Sequence, residues 1–339
     1  MFLGNWDLGN WGLSILDSDT LPAHPSANMT HPKTGVLVMA YGSAPTLDDE
    51  AIRRYLTHIL QYYRGVDPTR AEFEHLKERY QAVGGSPLYP LTEHIVDSLQ
   101  EKLSERLQNG CRAYLAMKHS PPYIEESVER MAREGITRAA AVALAPFRSR
   151  LSTDGYYKLV RDQSEKLDRP IQWSFAGDWN LQPRFLDLWT GLIRKALGKA
   201  GNAPLVVFTN HSLPARIRQW RDPYPDQFEA TAAALAERSG LSDWTIAYQS
   251  RGGGDQPWLG PDLCELMSEH HREGRKSFLA IPIGFLMDHL ETLYDLDVEA
   301  AKHAKTLGIQ FSRTAMPNDH PLLVEALAEI VENALANPD

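Results

Sequence analysis

Short runs of apolar and β-branched residues recur along the chain, separated by longer segments whose apolar positions repeat every three or four residues. The alternation predicts βαβ units and a mainly parallel sheet, since strands buried on both faces read as continuous apolar runs and their crossovers as amphipathic helices. Strands are predicted over 35–40, 112–117, 139–145, 171–176, 205–209, 245–249, 277–282 and 309–312. Helices are predicted between them, among others over 92–107, 124–134, 183–197, 226–239, 261–273 and 288–306, with a last one over 321–336. Eight strands divide into two groups of four, with 166–170 as the crossing point. The expected fold is therefore α/β: two similar doubly wound, Rossmann-like lobes with four-stranded parallel sheets around a central cleft, over 34–168 and 169–318, and a C-terminal helix within 319–339 packing back across the lobes.

Ligands of open α/β sheets sit beyond the carboxyl ends of the strands, so the residues just after each strand are the candidates. Tyr41 follows the first strand, and two readings stand: half-buried packing, or a phenol that stacks on a ligand or coordinates a metal. Lys118 and His119 end the second strand ahead of a Pro-Pro turn; being adjacent, they point apart, so at most one enters the cleft. His211 ends the strand "PLVVFTN", where an imidazole is placed to take a proton or bind a borderline metal. A Ser-His hydrolase is disfavoured because no G-x-S-x-G elbow surrounds Ser212. Nucleotide binding is disfavoured as well, because the glycines of "SRGGGDQPWLG" form neither a dinucleotide fingerprint nor a phosphate loop.

The stretch "IGFLMDHLETLYDLD" follows the seventh strand. If 288–306 is one helix, Leu290, Leu293, Tyr294, Val298 and Ala301 make its apolar stripe. Glu291, Asp295 and Glu299 then stack at i, i+4 and i+8 on another side. Like charges on one stripe repel. A solvated face and a path of hard oxygen ligands for a divalent cation are equally compatible with that pattern.

Composition narrows the function classes. A net charge of -9 over 339 residues is the opposite of a nucleic-acid footprint. Two cysteines, Cys111 and Cys264, build neither a disulfide framework nor a Cys-ligated zinc site or iron–sulfur cluster. No apolar run approaches the roughly 20 residues that span a bilayer. The first 28 residues lack the pattern of an export signal, contain an echo (GNWDL, GNWGL) and precede a fresh start at Met29. They are expected to be a disordered extension or to reflect an upstream start codon, the alternative being a short docking or membrane-surface element using Trp6 and Trp11.

Seven stretches in one order carry a resemblance: "GVLVMAYGSAP", "LKERYQAVGGSPLYPLTEHI", "MKHSPPYIEESVERMAREGI", "AVALAPFRSRLSTDGYYKLV", "FTNHSLPARI", "YQSRGGGDQPWLGPDL" and "IPIGFLMDHLETLYDLDVEA". From about Thr34 to the final helix the chain resembles the ferrochelatase family, and the tyrosine of "MAYGS" is similar to its coproporphyrin-using bacterial branch. The resemblance implies that the two lobes clamp a porphyrin and insert Fe²⁺ with release of two protons, with His211 and Glu291 as the facing pair. It implies Tyr41 as axial ligand to the product iron, and porphyrin contacts from Arg64, Arg79, Tyr80, Ser86 and Tyr156. Asp295 and Glu299 would continue as an acidic path for iron or protons. It further implies coproporphyrin III and Fe²⁺ as substrates, no cofactor beyond Fe²⁺, a cytoplasmic place, and transient contact with the downstream haem-pathway enzyme. A protoporphyrin chelatase, a chelatase for another divalent metal, and a non-catalytic tetrapyrrole or metal binder remain as alternatives.

The chain also departs from the family pattern. "THILQYYRG" carries three extra residues and keeps only Arg64 of an expected Arg-Arg-Gly. "GGSPL" is one residue short before Ser86. Phe147 stands where histidine is common, with Arg148 as a replacement cation, and Asn210 stands where a small residue is usual.

Overall fold

The computed structural model describes residues 34–107, 110–200, 203–253 and 256–337, so the expectations for 1–28 lie outside the described residues. Two four-stranded sheets, every strand pairing parallel, organise this part of the chain. The first runs β2-β1-β3-β4, with β1 (Thr34–Ala40), β2 (Arg112–Met117), β3 (Arg138–Ala143) and β4 (Gln172–Phe175). The second repeats that order as β6-β5-β7-β8, with β5 (Leu205–His211), β6 (Trp244–Gln249), β7 (Ser277–Ile281) and β8 (Gln310–Arg313). In each sheet the first strand in sequence sits second in the order, so the chain winds first to one side and then to the other. That reversal is the switch point at which doubly wound sheets open a ligand crevice.

Helices cover both faces because alternate strand residues point oppositely. Val36, Val38, Ala140 and Val142 meet Ile95, Leu99 and Leu103 of α3 (Leu88–Arg106) and Leu323, Leu327 and Val331 of α11 (Pro321–Ala336). Leu37, Met39, Ala139 and Ala141 meet α4 (Ile124–Arg133) and α5 (Thr153–Ser164) through Val128, Met131 and Val160. In the second sheet Val206, Phe208, Leu279 and Ile281 join the same core as α3 and α11, with Phe228 and Leu235 of α7 (Tyr224–Ser239) beside them. Its other face carries α8 (Leu263–Arg272). One apolar core thus runs through both sheets.

The predicted division at 168/169 falls too early. β4 pairs with β3, so the chain leaves the first sheet after Phe175. The cluster Lys166–Pro170 is the turn between α5 and β4, and polar turn residues mark element ends without saying which sheet follows. From β4 the chain passes through α6 (Pro183–Leu197) to β5.

An insertion after β1 supplies α1 (Asp49–Arg64) and α2 (Arg70–Val83). Asp48 caps α1 by accepting from the Ala51 amide, and Gly65 closes it at φ 67. Thr69 and Glu72 form a reciprocal capping box at the start of α2. Ile52, Tyr55, Phe73 and Tyr80 of this pair pack around Leu290 from the second half of the chain, so the insertion closes one side of the cleft.

The last helix, α11, returns to the first sheet, packing on α3, α6, β3 and β4. Its Glu325 accepts from Lys102 at 2.8 Å and from Arg106, and these hydrogen bonds lower its carboxyl from 4.5 to about 2. A depressed carboxyl pKa contributes stability that is present above the unfolded value near 4.5 and lost as pH falls toward 2. Glu325→Gln is therefore expected to lower the thermal midpoint at pH 7 by an amount worth about 1 kcal/mol, and to melt like wild type near pH 2. Thermal melts across that range check it.

Candidate functional site

β5 ends on two adjacent polar residues with opposite fates. Asn210 is buried, and its Oδ1 accepts from the Tyr224 hydroxyl at 2.7 Å and from the His211 amide at 2.8 Å. Gly284 makes room for it: a Cβ there would stand 1.8 Å from Asn210 Oδ1. His211 is the last residue of β5, in register with Gln249, and its ring lies near Phe285. Nδ1 of His211 is 2.6 Å from the Ser212 carbonyl, which only accepts, so Nδ1 carries the hydrogen and Nε2 keeps a lone pair. Burial lowers the imidazole pKa, against the opposing pull of the Glu291 charge. His211 is neutral at pH 7.

Glu291 lies in the first turn of the short helix α9 (Leu290–Leu293). Burial works to raise its pKa, but His289, His211 and Arg79 outweigh it and hold the carboxyl below its usual 4.5. His289 Nε2 stands 3.1 Å from the carboxylate, while its Nδ1 contacts the Met287 carbonyl at 2.8 Å. The site thus pairs a neutral base with an ionised carboxylate flanked by a second imidazole. Among the described residues no three His, Cys, Asp or Glu side chains converge into a closed metal cage.

The helix predicted over 288–306 begins at Leu290 and contains a π-helical stretch, Asp295–Ala300, before α10 (Ala301–Leu307). Tyr294 O accepts from both the Val298 and the Glu299 amides. The wider turn rotates the residues on its C-terminal side. The buried line is therefore Leu290, Thr292, Asp295, Leu296, Ala300 and Ala304, in place of the expected stripe through Leu293, Val298 and Ala301. Asp295 is buried and Glu299 is exposed. Asp295 Oδ1 accepts from Arg79 Nη2 and Oδ2 from the Ser250 hydroxyl. Burial pushes its carboxyl up to about 7, with Arg79 pulling the other way.

The other side of the cleft is aromatic. Tyr41 packs on His119 with ring centroids 4.6 Å apart, with the Tyr63 phenol close enough to add to the rise in its pKa. Burial raises the Tyr41 phenol well above 10, and the Glu291 charge adds to the effect, so the two halves of the site sense each other. The expectation that only one of Lys118 and His119 faces inward does not hold, because the insertion roofs both over. His119 is fully buried with Nδ1 3.0 Å from His58 Nδ1. Lys118 is 2% exposed, donates to the Tyr63 hydroxyl at 3.1 Å, and lies 4.6, 5.2 and 5.0 Å from the rings of Tyr62, Tyr63 and Tyr156.

The remaining candidates divide by what already occupies them. Ser86 lines a cavity of about 440 Å³ with Ala44, Leu47 and Leu293. Tyr80 is 1% exposed and its hydroxyl accepts from the Ala44 amide, so it braces the loop after Tyr41. Tyr156 is buried behind Lys118. Arg64 is exposed and paired with Glu72 at 3.2 Å. Arg79 lies between Asp295 and the Tyr294 ring.

Comparison with known proteins bears on this geometry. A family model described as Ferrochelatase matches residues 33–335. The chain belongs to the ferrochelatase family. The relative named Ferrochelatase from Herpetosiphon aurantiacus is 38% identical over 308 residues, 88% of this chain and 98% of that protein. That named Coproporphyrin III ferrochelatase from Bacillus subtilis is 37% identical over 312 residues, 89% and 98% of the two chains. The solved structure of SirB from Bacillus subtilis with Fe³⁺ has a TM-score of 0.56 at 12% identity, over 90% of this chain and 96% of that one, which speaks to the fold alone.

Within the ferrochelatase family this chain's departures have local causes. The stretch "THILQYYRG" forms the second half of α1, from which Tyr62 and Tyr63 reach Lys118. Phe147 is buried against Tyr224 and Phe228. Arg148 pairs with Asp154 at 3.2 Å beside a second cavity of about 350 Å³. His289, Ser250 and Tyr63 were not among the sequence candidates, and Lys118 was named there only as a strand-end residue. The visible signal for His289 was its place two residues before Glu291; for Lys118 it was a cation at a strand's carboxyl end.

Among the described residues no carboxylate pairs with Lys118, and burial lowers its ammonium from 10.5 to about 8. A cation with a depressed folded-state pKa opposes folding while charged, so stability rises as pH climbs from about 8 toward 10.5. Lys118→Met is expected to raise the thermal midpoint at pH 7, by up to about 3 kcal/mol in stability, and to flatten the rise above pH 8. Melting curves of the two proteins over pH 7 to 10 check both signs.

Proposed function

We propose that this chain inserts Fe²⁺ into coproporphyrin III, giving iron coproporphyrin and two protons, as the chelation step of haem synthesis. The observation that carries the reading is the neutral His211 beside an ionised Glu291 in a cleft between two sheets. Insertion requires two pyrrole N–H groups to lose protons while hydrated Fe²⁺ sheds water and its charge enters the ring. Nε2 of His211 is the free lone pair that accepts the first proton; Glu291, flanked by His289, receives protons onward and draws the cation in. Tyr41, on the other side of the cleft, is the axial ligand to the product iron. Arg79 and Ser86 hold propionates, Arg79 by its forked donors. Tyr80 and Tyr156 brace these contacts from behind.

The substrate choice is supported by the relatives from Bacillus subtilis and Geobacillus thermodenitrificans named Coproporphyrin III ferrochelatase, the latter 38% identical over 316 residues. No helix of the described residues is long and apolar enough to cross a membrane. The same reading makes the enzyme cytoplasmic and free of any resident cofactor, and passes its product by transient contact to the next enzyme of the route.

Purified protein with anaerobic Fe²⁺ is expected to metallate coproporphyrin III faster than protoporphyrin IX, followed by the absorbance of the product. The reverse preference moves the assignment to a protoporphyrin chelatase. Porphyrin binding without metallation by any divalent ion leaves a tetrapyrrole binder. His211→Ala is expected to slow insertion by roughly a hundredfold or more while porphyrin binding, read by fluorescence quenching, persists.

A further inference from the structure

β6 ends on Gln249, opposite His211 in the register of the second sheet. Its backbone carbonyl accepts from the Ser212 amide at 2.7 Å, and Ser212 is the residue whose own carbonyl takes Nδ1 of His211. The Ser212 hydroxyl is anchored too, donating to the Leu259 carbonyl at 2.7 Å. The peptide that fixes the tautomer of His211 is therefore held from the neighbouring strand.

The side chain of Gln249 reaches Glu291. It is buried, and its amide is engaged at both ends: Oε1 accepts from the Thr209 hydroxyl at 2.8 Å, and Nε2 donates to the backbone carbonyl of Glu291 at 3.1 Å and to Ser250 Oγ at 3.4 Å. A backbone carbonyl only accepts, so the amide nitrogen faces Glu291 and the oxygen faces Thr209, which donates to it. Thr209 is itself buried, two residues before His211 on β5. Glu291 belongs to α9, a helix of four residues. A single turn makes too few hydrogen bonds to stand by itself, so the direction of its side chains depends on contacts from outside. A buried amide is costly unless its hydrogen bonds are made. A network whose members are all satisfied rigidifies one geometry.

We propose that Gln249 is a positioning residue for metal insertion: its backbone carbonyl, through Ser212, and its side-chain amide, oriented by Thr209, hold His211 and Glu291 in one fixed relation. Gln249 brings no acid or base of its own and acts through those two residues. Displacing a reacting group by about 1 Å costs roughly a hundredfold in rate, so the loss of such a tie is felt in turnover while affinity is kept. This rests on the reading of His211 and Glu291 as the insertion pair, and adds how β5 and the segment after β7 are kept in step.

The experiment splits turnover from binding. Coproporphyrin III affinity is measured without metal by fluorescence quenching, and kcat and KM for porphyrin and Fe²⁺ by anaerobic steady-state assay. Gln249→Met keeps the length of the side chain and removes the amide; kcat is expected to fall about tenfold or more, with both KM values and the metal-free affinity within about twofold of wild type. Thr209→Val is expected to lower kcat about threefold, as for one hydrogen bond not made, and Thr209→Ser, which keeps the hydroxyl, to recover most of that loss. The double variant Thr209→Val with Gln249→Met loses no more than Gln249→Met alone, because Thr209 acts through the amide. An unchanged kcat in Gln249→Met, a fall in porphyrin affinity with kcat intact, or losses that multiply in the double variant overturns the proposal. Should Gln249→Met fail to fold by circular dichroism, the Thr209 pair decides: a kcat loss in Thr209→Val that Thr209→Ser recovers supports it, and two variants that behave alike refute it. If wild type binds porphyrin but metallates it with no divalent ion, the chelatase reading itself falls; if wild type inserts iron and these variants do so equally well, this inference alone does.

Discussion

The last two residues of β5 have to face opposite ways, and much of the site depends on that. Asn210 turns inward, where Tyr224 and the His211 amide take its oxygen and the bare backbone of Gly284 leaves it space. Pleating then sends His211 outward. Because its Nδ1 is spent on the Ser212 carbonyl, one defined lone pair remains, and burial keeps it unprotonated. A polar residue thus fills the position before the catalytic candidate without disturbing it, since a glycine on the neighbouring segment absorbs the volume.

Charge in the cleft is distributed unequally. On the second sheet's side, Glu291 draws on three cationic or potentially cationic neighbours and stays ionised, while Asp295 is tied to one arginine. On the first sheet's side, Lys118 has three aromatic rings and the Tyr63 hydroxyl beside it, and among the described residues no carboxylate pairs with it. Rings stabilise a cation through their quadrupoles but do not neutralise it. Two of those rings, Tyr62 and Tyr63, come from the last turn of α1 and a third, Tyr156, from α5, so the surroundings of Lys118 are assembled from separate parts of the chain.

The sheets were legible in the sequence because central strands buried on both faces, such as β1 and β5, are continuous apolar runs; the edge strands β4 and β8 are short and mixed and were marked by their place between helices. Their grouping was less legible: the break ahead of β4 looked like a lobe boundary since turn composition is the same within and between sheets. The helix from Leu290 onward shows a different limit. An ideal period of 3.6 makes Glu291, Asp295 and Glu299 equivalent, and one π-helical stretch removes the equivalence by adding a residue to a turn. Nothing in composition distinguishes such a turn, and the contacts that accompany it are tertiary: Asp295 meets Arg79 and Ser250 from two other parts of the chain. His289 was hidden for the same kind of reason, since a histidine two residues from a carboxylate becomes its partner only if the chain is extended between them, as it is at φ -161.

That π-helical stretch also gives the three carboxylates of the acidic line different surroundings. In a regular helix the three carboxylates would share one face and one role, and their mutual repulsion would need a cation to relieve it. With the wider turn, Glu291 faces the imidazoles, Asp295 meets a guanidinium, and Glu299 reaches solvent, so each charge is met by a different environment. π-bulges persist in helices where the distortion is compensated by contacts an ideal turn could not make. Here the compensating contacts are the two that fix Asp295, which ties the geometry of the helix to the arginine on α2 across the cleft.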